Sequence, residues 1–383
     1  VEVLFLAHRA PFPPDRGDRI RSYNILKYLA ARARVHLVAF TDDGTEIAPQ
    51  HRAMVDECVL VRRTKSQSRA AIEALATGKP VSLIAFADPR LASAVADILA
   101  RRPIDAIYAF SGQMAQYLPA TGPRAVMDFV DLDSAKFAAY ANDAHGLMRW
   151  MMQREARLLG AYERTVAAKV HASLFVSAPE AALLPGSRTL ENGIDTLFYD
   201  PATLPVAAPQ PLLVFTGQMD YRPNVDAVIS FAREVLPQLP TAHFAIVGRA
   251  PTPAVRALAS ENVTVTGEVA DVRGWLAAAD VVVAPLKLAR GIQNKVLEAM
   301  AMARPIVASP AAAEGIDHAG TIRVADDATA FAATIAALIA DHPAAQALGH
   351  AARRQAIARY GWDARLAPLD ALLALSHTKR AAA

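Results

Sequence analysis

Arg290-Gly291-Ile292-Gln293-Asn294-Lys295-Val296-Leu297-Glu298-Ala299-Met300, followed by Arg304-Pro305-Ile306-Val307-Ala308-Ser309, reads as a loop closed by glycine, a helix and a short strand. Val296, Ala299, Met300 and Ala303 recur at helical spacing and are expected to pack inward. Asn294, Lys295 and Glu298 fall on the other face, and Lys295 and Glu298, three apart, can act together. A helix start offers unpaired backbone N–H groups and the positive end of a dipole, which suits a diphosphate. Gly291 lets a ligand come close to that backbone, and a carboxylate one turn further in can accept both hydroxyl hydrogens of a ribose. The same spacing also describes a surface Lys–Glu pair on an ordinary amphipathic helix, and spacing alone does not separate the two.

The loop–helix–strand unit repeats on either side. Short β-rich runs fall at Val3–Ala7, Val35–Phe40, Ala106–Phe110, Ala125–Phe129 and Ala172–Val176. They recur at Leu212–Thr216, His243–Val247, Val263–Thr266, Val281–Ala284 and Ile306–Ala308. Amphipathic stretches such as Arg19–Ala33, Val225–Leu236 and Gln293–Ala303 lie between them. Such alternation argues for an α/β chain of doubly wound, Rossmann-like parallel sheets covered by helices on both faces. At about 150 residues per domain, 383 residues suggest two domains. The joint falls near residues 192–211, where Asn192-Gly193 signals a turn and Pro201, Pro205, Pro209 and Pro211 follow. Ligands bind at the carboxyl ends of such sheets, so a cleft between the domains is the expected site.

Composition excludes several classes. Cys58 is the only cysteine, which rules out a disulfide scaffold and a cysteine metal site and fits a cytosolic compartment. The ten histidines are scattered with no paired zinc spacing, so no metal is expected. Neither half carries Gly-x-Gly-x-x-Gly after a strand, which disfavours a nicotinamide-dependent dehydrogenase. No apolar run reaches the roughly 18 residues that suggest a membrane-spanning helix. Val1–Ala7 is too short for a signal peptide and has no basic leader, so a chain beginning near its natural start is expected. The net charge of +3 divides as 24 basic against 19 acidic residues over 1–190 and 16 against 18 over the rest. Arg62, Arg63, Lys65 and Arg69 form a tight basic stretch that could meet an anionic membrane or acceptor, or be a solvated loop. Nucleic acid is not an expected partner, because a dense basic stripe with interleaved aromatics is missing.

The Gly291–Met300 segment resembles the signature of the family-4 retaining glycosyltransferases of the GT-B fold, in which a glycine-containing loop leads into a helix reading Leu-Glu-Ala-Met-Ala. Phe215-Thr216-Gly217-Gln218-Met219-Asp220-Tyr221-Arg222-Pro223-Asn224-Val225-Asp226-Ala227 resembles the opening of the donor domain in one branch of that family. Glu191-Asn192-Gly193-Ile194-Asp195 resembles the start of its interdomain linker. Phe12-Pro13-Pro14-Asp15-Arg16-Gly17-Asp18-Arg19-Ile20-Arg21-Ser22 resembles the acceptor loop of sugar transferases found beside exosortase-type (PEP-CTERM) exopolysaccharide systems. The resemblance implies an acceptor-binding domain at 1–195 and a donor-binding domain at 196–360. It further implies that a closing helix at 361–383 crosses back to the first domain.

The resemblance implies that Glu298 binds the donor ribose, and that Lys295 and the backbone at Gly217 face the diphosphate, with Arg222 as a further basic candidate. Gly248 and Arg249 would line the nucleotide's path and Val269 would sit beside the base; Gly291 and Asn294 complete the donor set. Two departures stand out. Where the family carries a second glutamate eight positions before the Leu-Glu-Ala glutamate, this chain has Arg290, whose fork could grip an acidic donor sugar such as a uronic acid. Basic residues expected after Gly217 are replaced by Gln218 and Arg222, which shifts weight to Lys295.

In the first half, Asp128, Asp131 and Asp133 cluster at a strand end. Asp131 and His8 are catalytic candidates with Lys295, and Asp133, Arg16, Gly17 and Arg19 are acceptor-side candidates. Asp131 or Asp133 could instead cap the following helix. Arg21 could recognise a phosphate or cover a helix.

The expected activity is metal-independent, retaining transfer of a hexose from a nucleotide diphosphate sugar, a uridine diphosphate sugar being favoured, to a lipid-linked or glycan acceptor. Exopolysaccharide or glycolipid synthesis is the expected setting, at the cytoplasmic membrane surface, with no cofactor beyond the substrate. A sugar-nucleotide epimerase of the same fold and a non-catalytic sugar-nucleotide-binding protein are the alternatives. The first would turn over donor alone and the second would not turn it over.

Overall fold

The computed structural model describes residues 1–14, 17–41, 47–289 and 292–375. The chain divides into two compact units, one of Val1–Asn192 with Arg365–Ala383 and one of Gly193–Ala364.

The first unit holds seven strands: β1 Glu2–Ala7, β2 Arg34–Thr41, β3 Glu57–Arg62, β4 Ala106–Phe110, β5 Arg124–Val130, β6 Ala172–Phe175 and β7 Arg188–Thr189. They form one parallel sheet in the order β3-β2-β1-β4-β5-β6-β7. The central strand β1 is buried from Val3 to Ala7, as a strand covered on both faces must be. Leu4, Leu6, Val38, Phe40, Ile107 and Met127 build the core with Leu91, Val95 and Ile98 of the Pro89–Arg101 helix. The Pro368–Leu373 helix also belongs here and packs on β4 and β5. Its Asp370 accepts from Tyr28 Oη at 2.8 Å and lies 3.5 Å from Arg32 Nε.

The second unit has six strands: β8 Leu212–Thr216, β9 His243–Val247, β10 Val263–Gly267, β11 Val281–Ala284, β12 Ile306–Ala308 and β13 Arg323–Val324. They are parallel, in the order β10-β9-β8-β11-β12-β13. Strands β8, β9 and β11 are buried along their whole length. The two chain segments that enter and leave this unit run side by side: Ile194 N donates to Tyr360 O at 2.7 Å, and Ile194 bridges Gly361. Gly193 sits so close to Trp362 that a Cβ there would lie 2.7 Å from its Cα.

The stretch expected as one helix over Val225–Leu236 is three pieces: an α-helix Arg222–Ser230, a π turn Phe231–Val235 and a 3₁₀ turn Leu236–Gln238. Pro237 has no N–H to continue an α-helix, and the change of pitch occurs just before it. Among the described residues no single helix is long and apolar enough to cross a membrane.

Candidate functional site

A cavity of about 510 Å³ opens at the carboxyl ends of β8, β9 and β10. Thr216 and Gly217 end β8, Gly248 and Arg249 follow β9, and Glu268 and Val269 follow β10; all of them line it. The opposite wall is the start of the Asn294–Ala301 helix with Gln293, Asn294, Lys295 and Glu298. No side chain caps that helix start. Val296, Ala299 and Met300 are buried behind it, as the spacing predicts, and Leu297 is buried with them. Ala303 is outside the helix, with a φ of 54° that ends the turn.

Two glycines clear the floor. A Cβ at Gly248 would lie 1.7 Å from the Gly217 carbonyl oxygen, and one at Gly217 would lie 2.8 Å from Asn224 Nδ2 and 3.2 Å from Lys295 Nζ. Only residues without a side chain allow the ends of β8 and β9 to touch here and leave bare backbone facing the cavity.

Lys295 is the electrostatic centre. Its Nζ donates to Asn224 Oδ1 at 2.6 Å and stands 4.1 Å from the centroid of the Phe215 ring. Asn224 is held in turn by donating to Gln218 O at 2.9 Å. Burial brings the Lys295 ammonium down to about 8, against the attraction of Glu298. The Glu298 carboxyl is pushed up by burial, and the hydrogen bond from Tyr199 and the charge of Lys295 pull it back. Tyr199 is pushed well above the usual phenol range by burial and by Glu298 beside it. A desolvated cation between a neutral amide and an aromatic face has unspent capacity for an anion.

The structure therefore gathers Gly217, Gly248, Arg249, Val269, Asn294, Lys295 and Glu298 at one cavity. Arg290 and Gly291 lie outside the described residues. Arg222 does not join the group. Its side chain is 91% exposed and lies 3.6 Å from Asp226, one helical turn on. It opens the helix and faces solvent, while Asn224, two residues later, turns inward and is buried. Asn224, Tyr199, Tyr221 and Glu268 were not singled out from the sequence although they line the cavity. A polar residue in the first turn of a helix that follows a strand and a glycine loop is a signal that could have found Asn224.

The candidates of the first unit are each held by neighbouring side chains. His8 Nε2 lies 3.5 Å from Asp18, and its ring stacks on Phe110 at 5.8 Å. Asp18 also accepts from Arg9 at 2.7 Å, and the hydrogen bond from His8 holds its carboxyl far below the usual range. Gly17 opens the Gly17–Ala30 helix, Arg19 lies in its first turn, and Arg16 is outside the described residues. Asp131 is paired with Lys136 at 2.7 Å, and Asp133 accepts from Gln113 at 3.0 Å. Burial pushes the Asp133 carboxyl up.

Neither aspartate caps the next helix. Leu132 takes the cap position, and Glu180 and Glu163 accept from the N–H groups of Leu132 and Ser134. Arg21 is not a phosphate ligand. It is 1% exposed and bound to Asp128, which is fully buried, at 2.9 Å through one terminal nitrogen and 3.0 Å through Nε. Among the described residues no group of three or more His, Cys, Asp or Glu could hold a metal ion.

Two units, each a parallel sheet wound with helices, make this a two-domain α/β GT-B fold, and the cavity at the strand ends of the second is where such sheets bind ligands. Residues 210–341, which carry all of this cavity's lining but Tyr199, match the family model described as glycosyl transferases group 1. No curated protein matches the sequence.

Solved structures resemble it over nearly the whole chain. Sucrose-phosphate synthase from Thermosynechococcus elongatus superposes with a TM-score of 0.57 at 19% identity, covering 97% of this chain and 98% of that one. HepE from Anabaena, in complex with UDP, gives 0.60 at 15% identity, covering 98% and 100%. WaaG, a glycosyltransferase involved in lipopolysaccharide biosynthesis, gives 0.57 at 18% identity, covering 98% and 100%.

Proposed function

We propose that the chain is a glycosyltransferase that takes a sugar from a nucleotide diphosphate sugar bound in the second unit. The observation that carries this reading is Lys295: a buried, cationic side chain with a lowered affinity for its proton, aimed with Gly217 and Gly248 at one cavity. A diphosphate supplies the anion that Lys295 lacks at bonding distance, and the charge grows as the sugar departs, so Lys295 and the helix start stabilise the transition state more than the ground state. Glu298, oriented by Tyr199, accepts from ribose hydroxyls and is a binding group, not a proton carrier. Val269 and Glu268 border the base.

The match to glycosyl transferases group 1 over 210–341 supports transfer rather than simple binding. A uridine nucleotide is the favoured donor, in line with HepE, solved in complex with UDP and with UDP-glucose. Metal-independent retention of configuration, a hexose as the transferred group, a lipid-linked or glycan acceptor and a place in exopolysaccharide or glycolipid synthesis complete the proposal. Selection of an acidic donor sugar by Arg290 is part of it.

The test is thermal stability of the protein and of Glu298→Ala across a panel of nucleotide diphosphate sugars, neutral and uronic. A donor at a hundred times its dissociation constant adds about 2.7 kcal/mol. A shift with one or two donors that vanishes in Glu298→Ala is expected, followed by a product heavier than the acceptor by one sugar. No shift with any donor sinks the assignment of this cavity. Donor turnover with no heavier product points instead to an epimerase.

A further inference from the structure

Tyr199 reaches Glu298 from a turn that belongs to neither a strand nor a helix. Something other than a regular element must hold it in place. Its neighbours Leu197 and Phe198 are 78% and 47% exposed, so apolar burial anchors this stretch weakly. Local bonds give the turn its shape: Tyr199 N donates to Asp195 O at 2.9 Å, and Asp195 Oδ1 accepts from Leu197 N and Phe198 N. Those bonds lie within the turn and do not fix it to the cavity.

Two arginines do that. Arg273 donates to Phe198 O at 3.0 Å, its guanidinium lies 3.9 Å from the centroid of the Phe198 ring, and Asp271 pairs with it at 2.6 Å. Arg353, on the His342–Tyr360 helix, reaches further. One terminal nitrogen donates to Tyr199 O at 2.8 Å and to Ala301 O, and the other donates to Thr196 O at 3.1 Å. Ala301 ends the Asn294–Ala301 helix, where carbonyls lack helical partners and a cation meets the negative end of the dipole. Gly349, one turn before Arg353, makes the reach possible. A Cβ there would lie 2.1 Å from Ala303 O, so only glycine lets the two elements come this close. The contacts close a ring. It runs from Arg353 to Ala301, back one turn along the helix to Glu298, across to the Tyr199 phenol, and from the Tyr199 carbonyl to Arg353 again.

We propose that Arg353 is a positioning residue for the donor site: it pins the backbone of Tyr199 to the end of the helix that carries Glu298, and so sets the direction in which that carboxylate meets a ribose. A binding group has to be held within about 0.5 Å of its productive place, and a turn tied only to itself does not supply that. Burial pushes the Glu298 carboxyl up and the bond from Tyr199 opposes this, so a displaced Tyr199 leaves a carboxyl that is harder to ionise and free to rotate. The inference rests on the reading of the cavity as a donor site only for its ribose. The bond from Tyr199 to Glu298 can be followed with no ligand present.

The experiment therefore has two readouts on the full chain. NMR of isotope-labelled glutamate carboxyls follows the titration of Glu298, its signal identified by its loss in Glu298→Gln. Apart from Tyr199, the titratable group that faces Glu298 is Lys295, which none of the variants alters. Arg353→Met is expected to raise the pH at which Glu298 titrates, Tyr199→Phe to raise it as far, and the double variant to raise it no further. Calorimetry with uridine diphosphate should show affinity lower by about tenfold in each single variant, and by about tenfold, not about a hundredfold, in the double variant. Arg353→Lys keeps a cation at the helix end but loses the fork, so it guards against a methionine variant that does not fold and is expected to move Glu298 the same way. A lower melting temperature in the Arg353 variants with the Glu298 titration unmoved would make the residue a plain brace and overturn the proposal. Effects that add in the double variant overturn it as well. Wild-type protein that binds no uridine diphosphate counts against the donor reading instead, and the ligand-free titration still decides the role of Arg353.

Discussion

Each unit groups one base, one acid, one tyrosine and one asparagine, and uses them in opposite ways. In the first, Asp128 accepts from Arg21 and, at 2.7 Å, from Tyr108, and Arg21 donates to Asn192 at 2.8 Å. The charges meet one another and the group is closed. In the second, Lys295 is given to neutral Asn224 and Glu298 to neutral Tyr199, and both charges face a cavity. Burial penalises each charge there without a partner of opposite sign at bonding distance to offset it, so both groups are pushed toward their neutral forms. The difference teaches that residue types do not distinguish a brace from a binding site. Whether the charges are already spent on each other does.

The comparison breaks most visibly at Asp128. Asp128→Ala leaves Arg21 buried and unpaired and is expected to cost about 3–5 kcal/mol of folding stability, measured by denaturant unfolding, with donor affinity unchanged in what remains folded. Lys295→Met should do the reverse. Stability is unchanged or raised, because a desolvated charge is removed, while donor turnover falls on the order of 10²–10³-fold. Equal destabilisation by both variants would erase the distinction between brace and site. Glu298→Gln keeps shape and loses charge, and calorimetry should show donor affinity lower by about 1.5–3 kcal/mol.

The smallest effect is a tilt with pH. Lys295 titrates near 8 in the folded chain against 10.5 when free, so between these values the unfolded chain binds more protons. Stability should therefore rise with pH across that window, and the rise should be absent in Lys295→Met. Donor affinity should run the other way, falling above about 8 as the empty site loses its cation.

Much of this was legible in the sequence. Leu212–Thr216, His243–Val247 and Val281–Ala284 are strands over the same residues that the apolar runs mark, because a strand covered on both faces must be apolar throughout. Glu57–Arg62 escaped for the converse reason. It is an edge strand, only Val61 is buried, and its ends are charged. Arg188–Thr189 and Arg323–Val324 are two-residue edges of exposed side chains and leave no pattern to find. At the site, periodicity placed Lys295 and Glu298 on one face of one helix. It could not place Tyr199 beside Glu298, since these lie on different elements, and nothing local in sequence told that Arg21 and Asp128 would cancel each other.

One feature of the chain path bears on how the protein is made. The Pro368–Leu373 helix, with Leu369, Leu372 and Leu373 buried, belongs to a unit whose sheet lies wholly before Gly193. Synthesis runs from the amino end, so the whole second unit leaves the ribosome before the first can be finished. Pairing of Ile194 with Gly361 then holds the two ends of that insert together. The long excursion behaves as a short loop when the last helix docks, and the entropy of closing it is small. A nascent chain stalled before Leu366 would carry a completed second unit and a first unit still missing Asp370 from Tyr28 and Arg32.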